Sequence, residues 1–197
     1  MSRLLAYYLG MEDSYYTDLE LSTLGFCRVG EGCKVSKFAR FYGISHISLS
    51  NNVRIDDFTV ISVAFASSIG VNVHIGPMSL ISSQLGFEFG AFSTFSSRVT
   101  AYGQNDDYSG AKLTNPTVRE SLRGVDKKRL LIGNHVIVGS GSVILPQGTL
   151  ADGVAVGALS LIKEPTISWG IYAGIPARRL SERSKNLLDL GDKNDLI

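Results

Sequence analysis

The sequence predicts an all-β solenoid: a parallel β-helix of six-residue repeats, with short helices at both ends and one protruding loop. Three observations predict it. Aliphatic residues recur every six positions from Ile132, at Val138, Ile144, Leu150, Val156 and Ile162. The residue after each is Gly or Ala in four of five repeats, and the fifth position is small or Val at Val136, Ser142, Val154 and Ser160. No long stretch carries the amphipathic period of about 3.6 residues that a helical domain needs.

The pattern has a steric reason. Each hexad is one short strand and one turn. Three hexads close a triangular coil, and coils stack at about 4.8 Å. The aliphatic first residue points into the narrow prism and stacks on its copies. The fifth residue also points inward, near a corner, so it must be small. Glycine beside the aliphatic residue is expected to relieve crowding at the turn.

The same beat runs earlier, through Val29, Val35, Phe41, Ile47 and Val53, with Cys33 and Ala39 at small positions. Near 53–61 the register is expected to slip by two, to Ile55 and Ile61, and to recover at Ile69, Ile75 and Ile81. Phe87, Phe89, Phe92 and Phe95 blur it between 85 and 99.

Three segments depart from the beat. Residues 1–27 read as an N-terminal cap, with a helix over 16–24 that carries Leu21 and Leu24 and is capped by Thr17 or Asp18. Such a cap covers strand edges that an open coil would expose. The β-helix domain then spans 28–162, broken at 101–131 by a polar, turn-rich loop; loops of that length are functional or disordered, and its aromatics and paired acids favour function. Residues 163–197 form a C-terminal extension, with an amphipathic helix over 181–190.

Composition narrows the partners. At 197 residues the chain is one domain. With 44% hydrophobic and 19% charged residues it can build a core, and a net charge of +1 excludes a dedicated nucleic-acid binder. The stretch Lys127-Lys128-Arg129 reads as a solvated loop. The apolar start, Met1 to Gly10, runs at once into Glu12 and Asp13 without a cleavage site, so no signal peptide is expected. No stretch has the length of an integral membrane segment. Cys27 and Cys33 form neither a CxxC nor a disulfide framework. A cytoplasmic protein is expected.

Residues 132–183 resemble the C-terminal half of hexapeptide-repeat acetyltransferases. The resemblance rests on Ile132-Gly133, Val138-Gly139-Ser140, Gly157-Ala158-Leu159-Ser160 and, above all, Gly174-Ile175-Pro176-Ala177-Arg178. Nearly the whole chain is similar to acyltransferases of O-antigen and capsule biosynthesis, through Val-Arg-Ile-Asp-Asp-Phe (53–58), Asp-Asp-Tyr-Ser-Gly (106–110), Leu-Thr-Asn-Pro-Thr-Val (113–118) and Trp-Gly-Ile-Tyr-Ala-Gly (169–174).

That resemblance implies a left-handed coil and a homotrimer with active sites in the grooves between neighbouring coils, where acetyl-CoA lies. It implies that Ser140 and Ala158 line the pantetheine groove. Lys163, Arg178 and Arg183 would meet the phosphates, and Pro176 and Ala177 the adenine. The implied activity is O-acetyl transfer to a sugar hydroxyl in bacterial surface polysaccharide biosynthesis, without a metal. N-acetylation of a nucleotide-linked amino sugar is the alternative, and a non-catalytic β-helix scaffold is a second.

Sugar and drug acetyltransferases of this fold usually carry a loop histidine as general base. Here the histidines are His46, His74 and His135, and none lies in 101–131. The loop offers Asn105, Asp106 and Asp107 instead. Two readings of the base stand: Asp106 or Asp107, with its pKa raised by its neighbour or by burial, or His135, on a turn expected near Ser140. Asp56, Asp57, His74 and Tyr108 are candidates for contacts to the acceptor. A γ-class carbonic anhydrase would need histidines converging on zinc from a close pair; these lie 28 and 61 residues apart.

Overall fold

The computed structural model describes residues 14–191. The apolar start, Met1 to Gly10, lies outside them.

The chain winds through three sheets that form the faces of a triangular prism. The first sheet holds Arg28–Val29, Ile47–Leu49, Ser67–Ile69, Phe87–Phe89 and Leu130–Ile132. The second runs from Lys34–Val35 to Ala155–Val156, followed by Gly170–Gly174 and Ala177–Glu182. The third runs from Arg40–Tyr42 to Leu161–Ile162. Neighbours in a sheet come from successive coils and pair in parallel, as in Arg54↔His74↔Thr94↔Ile137↔Ala155.

The inward column is the predicted one. Ile132, Val138, Ile144, Leu150, Val156 and Ile162 are all buried, and so are Val136, Ser142, Val154 and Ser160. Each buried aliphatic side chain contributes about 1.5–3 kcal/mol of transfer free energy. Cys33 and Ala39 are buried at small positions as expected.

The slip in register sits elsewhere than the sequence suggested. Inward positions run Leu49, Ile55, Ile61, then Ile69, Ile75, Ile81, then Phe89, Phe95, Ala101, all buried. Up to Ala101 the step is six within a coil and eight at the corner from the third sheet to the first; past the loop it is six there too, from Ile144 to Leu150. Ile47 and Val53 are buried, but each lies two residues before its coil's first-position residue and fills the small site instead. The third corner carries the extra residues, for example in the turn Ile44–His46. The 85–99 stretch is regular: Phe87, Phe89 and Phe95 point inward and Phe92 outward.

Glycine after the aliphatic residue also has a different reason. A Cβ on Gly139 would lie 2.4 Å from the backbone nitrogen of Ala158, and one on Gly90 2.4 Å from the carbonyl carbon of Gly133. These glycines let coils approach. Left-handed backbone falls two residues later in each hexad, at Asn52, Asn72, Phe92 and His135 on the first corner and Phe58, Met78 and Arg98 on the second.

The helix Asp18–Thr23 is capped by Thr17, which exchanges hydrogen bonds with Glu20 in a capping box, and it buries Leu21. Before it, the Tyr16 N–H donates to Val35 O (2.9 Å) and the Lys37 N–H to Ser14 O (2.7 Å), which covers the open edge of the second sheet. The other end departs from expectation. Ala177–Glu182 is a strand folded back antiparallel on Gly170–Gly174, and among the described residues of this segment helix begins only at Leu188–Gly191. Sheet pairing therefore continues past Ile162, and the antiparallel return closes the second sheet.

The loop leaves the third corner of the fourth coil. Arg129 clips its exit: its guanidinium donates to Glu88 Oε1 (3.2 Å) and to the carbonyls of Leu85 (3.1 Å) and Phe87 (3.4 Å). Lys127 pairs with Glu120 at 3.7 Å. Two of the three basic residues at 127–129 thus hold the loop rather than merely solvate it.

Candidate active site

The loop folds back on the third sheet. Gln104–Asp106 pairs antiparallel with Val125–Lys127, and Leu113 bridges Arg123. Gln104 ties this hairpin down, donating from Nε2 to Ser82 Oγ (2.8 Å) and accepting from the Gln84 N–H (2.9 Å). Between sheet and loop lies a polar cavity of about 710 Å³, lined by Ser62, Ser82, Tyr102, Gln104, Asp106, Tyr108 and Arg123 among others.

The two loop acids differ in what they touch. Asp107 closes an Asx turn, as Asn-Asp-Asp…Ser-Gly composition favours. Its Oδ1 accepts from the Ser109 N–H (2.8 Å) and Oγ (2.6 Å), and its Oδ2 from the Lys112 N–H (2.7 Å). The Ser109 hydroxyl, followed by these N–H donors, holds the Asp107 carboxyl below the ordinary range. This reverses the expectation of a raised pKa for Asp107, because donors rather than a neighbouring charge surround it. Among the described residues the Asp106 carboxylate accepts only a long bond from the Asn115 N–H (3.4 Å), and it lines the cavity with Tyr108, which is 85% exposed.

His135 lies elsewhere. It sits on the first corner, stacked on Phe92 (5.2 Å between centroids) and near Trp169 (6.3 Å). The strand Ile137–Val138 separates it from Ser140, which is on the second corner. Arg183 is bound at the same column, its Nη1 donating to the carbonyls of His135 (2.6 Å) and Gly153 (3.0 Å). It therefore does not join Lys163 and Arg178. Those two share a smaller cavity of about 170 Å³ with Ala177 and Arg179, the latter unforeseen; Pro176 precedes it in the chain.

Ser140 and Ala158 stack one coil apart on the second corner, where the Leu159 N–H donates to Ser140 O (2.9 Å). Ser97 lies in the same column, its Oγ 3.4 Å from Ser140 Oγ.

Buried Asp56 organises a further cluster. Its Oδ1 accepts from the Tyr15 hydroxyl and Arg54 Nε, both at 2.7 Å, and its Oδ2 lies 2.8 Å from His74 Nε2. His74 Nδ1 is 3.3 Å from Thr94 Oγ1. Asp57 accepts from Ser36 Oγ at 2.5 Å. Burial pushes the Asp56 carboxyl up, and the hydrogen bonds from Arg54, His74 and Tyr15 outweigh it, so the group titrates below its ordinary value. A depressed folded pKa adds stability that is present above the unfolded value, about 3.9, and is lost as pH falls through the folded one. Asp56→Asn is expected to cost about 1–3 kcal/mol at neutral pH. It should also lose less stability than the parent below about pH 4. Melting temperatures measured across that range check both; parallel curves would remove Asp56 from the acid response.

Among the described residues no group of three or more His, Cys, Asp or Glu is placed to hold a metal. No helix among them is long and apolar enough to cross a membrane.

No family model matches the chain. It is 41% identical over 179 residues to the dTDP-4-amino-4,6-dideoxy-D-glucose acyltransferase of Escherichia coli, covering 90% of this chain and 93% of that one. The chain belongs to the hexapeptide-repeat sugar acyltransferases. It is also 25% identical over 149 residues to WbbJ, a lipopolysaccharide biosynthesis O-acetyl transferase of Escherichia coli K12, covering 76% of this chain and 65% of WbbJ. Among solved structures it resembles AntD, an N-acyltransferase from Bacillus cereus in complex with dTDP-4-amino-4,6-dideoxyglucose and coenzyme A. Identity is 36% and the TM-score 0.88, over 92% of this chain and 96% of AntD. AntD was crystallised with a serine replaced, and also with an aspartate ten positions further on replaced. A galactoside acetyltransferase shares the fold alone, at 20% identity, TM-score 0.58, and coverage of 93% of this chain and 82% of that one. The coil is thus left-handed, against the right-handed rule for ordinary crossovers.

This sugar acyltransferase presents Ser97, Gln104, Arg123 and Arg179 beside the residues that sequence reasoning selected. Each is an outward side chain on the second corner, in the loop or in the closing strand. For Ser97 the signal in the sequence is position relative to the beat, which says outward and no more; Gln104, Arg123 and Arg179 lie where the beat is interrupted or ended and carry none.

Proposed function

We propose that the protein is an acyl-CoA-dependent N-acyltransferase acting on the amine of a nucleotide-linked 4-amino sugar. The relative with a 4-amino sugar substrate, matching 90% of the chain at 41% identity, carries this reading. It replaces hydroxyl acylation as the main reading. An amine is the stronger nucleophile, so a chain without a loop histidine suits it.

Asp106 is the group proposed to handle the proton. Its carboxylate takes a proton from the acceptor ammonium. The freed amine forms a bond to the acyl carbon, the carbon–sulfur bond breaks, and the second amine proton leaves to solvent as the thiolate departs. Asp107 holds the turn that presents Asp106. Ser96 to Asp106 and Ser97 to Asp107 both repeat the serine-to-aspartate spacing of the AntD variants.

The groups suit an acyl-CoA. Ser140 and Ala158 are small and leave the backbone open to an extended arm. Lys163 and Arg178 share a cavity with Ala177, where charge can meet phosphate. Asp57, His74 and Tyr108 stand as candidates for acceptor contacts. A homotrimer would complete each site, setting the loop of one copy against the second corner of the next. Phe38, Phe58, Met78 and Leu159, 53–68% exposed along that corner, are apolar surface suited to such contact.

The test measures thiol release from acetyl-CoA with dTDP-4-amino-4,6-dideoxyglucose and with the 4-hydroxy sugar nucleotide. Turnover with the amine alone is expected; turnover with the hydroxyl sugar alone would restore O-acylation. Arg178→Ala is expected to weaken acetyl-CoA binding about tenfold, read by calorimetry, with acceptor affinity unchanged.

A further inference from the structure

Arg123 follows the short turn Glu120–Leu122 and reaches the cavity beneath the loop. Its Nε is buried and has no hydrogen-bond partner among the described residues. The other cation on the cavity wall, Lys127, is already paired with Glu120 at 3.7 Å, and Asp106 accepts from the Asn115 N–H. A guanidinium stays charged at any working pH, and leaving its donors unsatisfied in a half-buried place is costly. Its planar fork matches two phosphate oxygens at once. Tyr102 and Tyr108 add aromatic surface to the same cavity, on which a base can stack.

We propose that this cavity binds the nucleoside diphosphate portion of the acceptor, with Arg123 reading the diphosphate. This rests on the nucleotide-sugar reading above. It assigns the acceptor phosphates to a place apart from Lys163 and Arg178, which lie at the C-terminal coil.

The experiment titrates the full chain and its Arg123→Gln and Arg123→Lys variants with dTDP, thymidine and coenzyme A by calorimetry. Arg123→Gln is expected to bind dTDP at least tenfold more weakly, with thymidine and coenzyme A affinities unchanged. Arg123→Lys, which keeps the charge and loses the fork, should fall between. Unchanged coenzyme A binding also reports an intact fold. The proposal is overturned if the parent does not bind dTDP, if Arg123→Gln binds it as the parent does, or if the loss falls on coenzyme A. The two readings fail separately. Arg123-dependent dTDP binding without amine acylation would sink the reaction and leave this site standing. Amine acylation with an unchanged acceptor KM in Arg123→Gln would do the reverse.

Discussion

Asp106→Asn is expected to lower kcat by about 10²- to 10⁴-fold, the usual scale for losing a positioned acid or base. The change is isosteric. The amide oxygen of asparagine can still accept the Asn115 N–H, so the hairpin and its tie through Gln104 to Ser82 should persist. What disappears is the ability to take a proton from the acceptor. Acetyl-CoA affinity should hold, since the groups proposed for the donor lie on the second corner and at the C-terminal cavity. Single-turnover kinetics with the 4-amino sugar nucleotide gives the rate directly. Asp107→Asn serves as the contrast: it weakens a turn held by Ser109 and Lys112, so its effect should fall mainly on KM. His135→Ala removes a ring stacked on Phe92 and is expected to lower the melting temperature while turnover stays. If His135→Ala abolished turnover and Asp106→Asn did not, the base would be His135.

Gly90→Ala is expected to produce a large loss of stability. The added carbon would meet three backbone atoms of the next coil, 2.4 Å from the Gly133 carbonyl carbon and 2.5 Å from both its oxygen and the Asn134 nitrogen. Backbone cannot change rotamer, so the coils must separate or shear. Overpacking of this kind costs about 3 kcal/mol. For a chain of this size that lowers the melting temperature by about 6–12 °C. Gly110→Ala is the control. Gly110 has φ +81° with nothing within 4 Å of the new carbon, so only left-handed strain is added, about 1–2 kcal/mol. Equal shifts in scanning calorimetry would mean that coil contact is not what demands glycine at position 90.

The prism was legible because one residue type meets one environment in every coil. Ile132, Val138 and Ile144 each fill the same narrow interior, so the beat is written in composition. The eight-residue step was harder to place. Its two extra residues sit outside the prism at the third corner and send no side chain into the core, so in the sequence Ile47 and Val53 continue the count. The glycine rule was legible as a pattern and misattributed in cause, since turn relief and close coil approach select the same residue.

The site was legible only in part. Asp106 and Tyr108 were selected for composition and length of the loop, and they do share a cavity. Arg183 reads in the sequence as a basic residue near a diagnostic motif, yet its Nη1 donates to carbonyls 48 and 30 residues away in sequence. His135 was selected for chemistry, and its surroundings come from Phe92 and Trp169, in other coils.

What the chain's sequence determined by itself is the interior, because the period constrains every inward residue locally. Which outward residues meet was decided by the tertiary structure. Asp56 finds His74 across 18 residues, and Ser97 finds Ser140 across 43 because the intervening loop is looped out. Arg123 reaches its cavity only because that loop folds back on the third sheet. Outward contacts depend on how coils stack and where an insertion turns, and the spacing of residues along the chain does not record either.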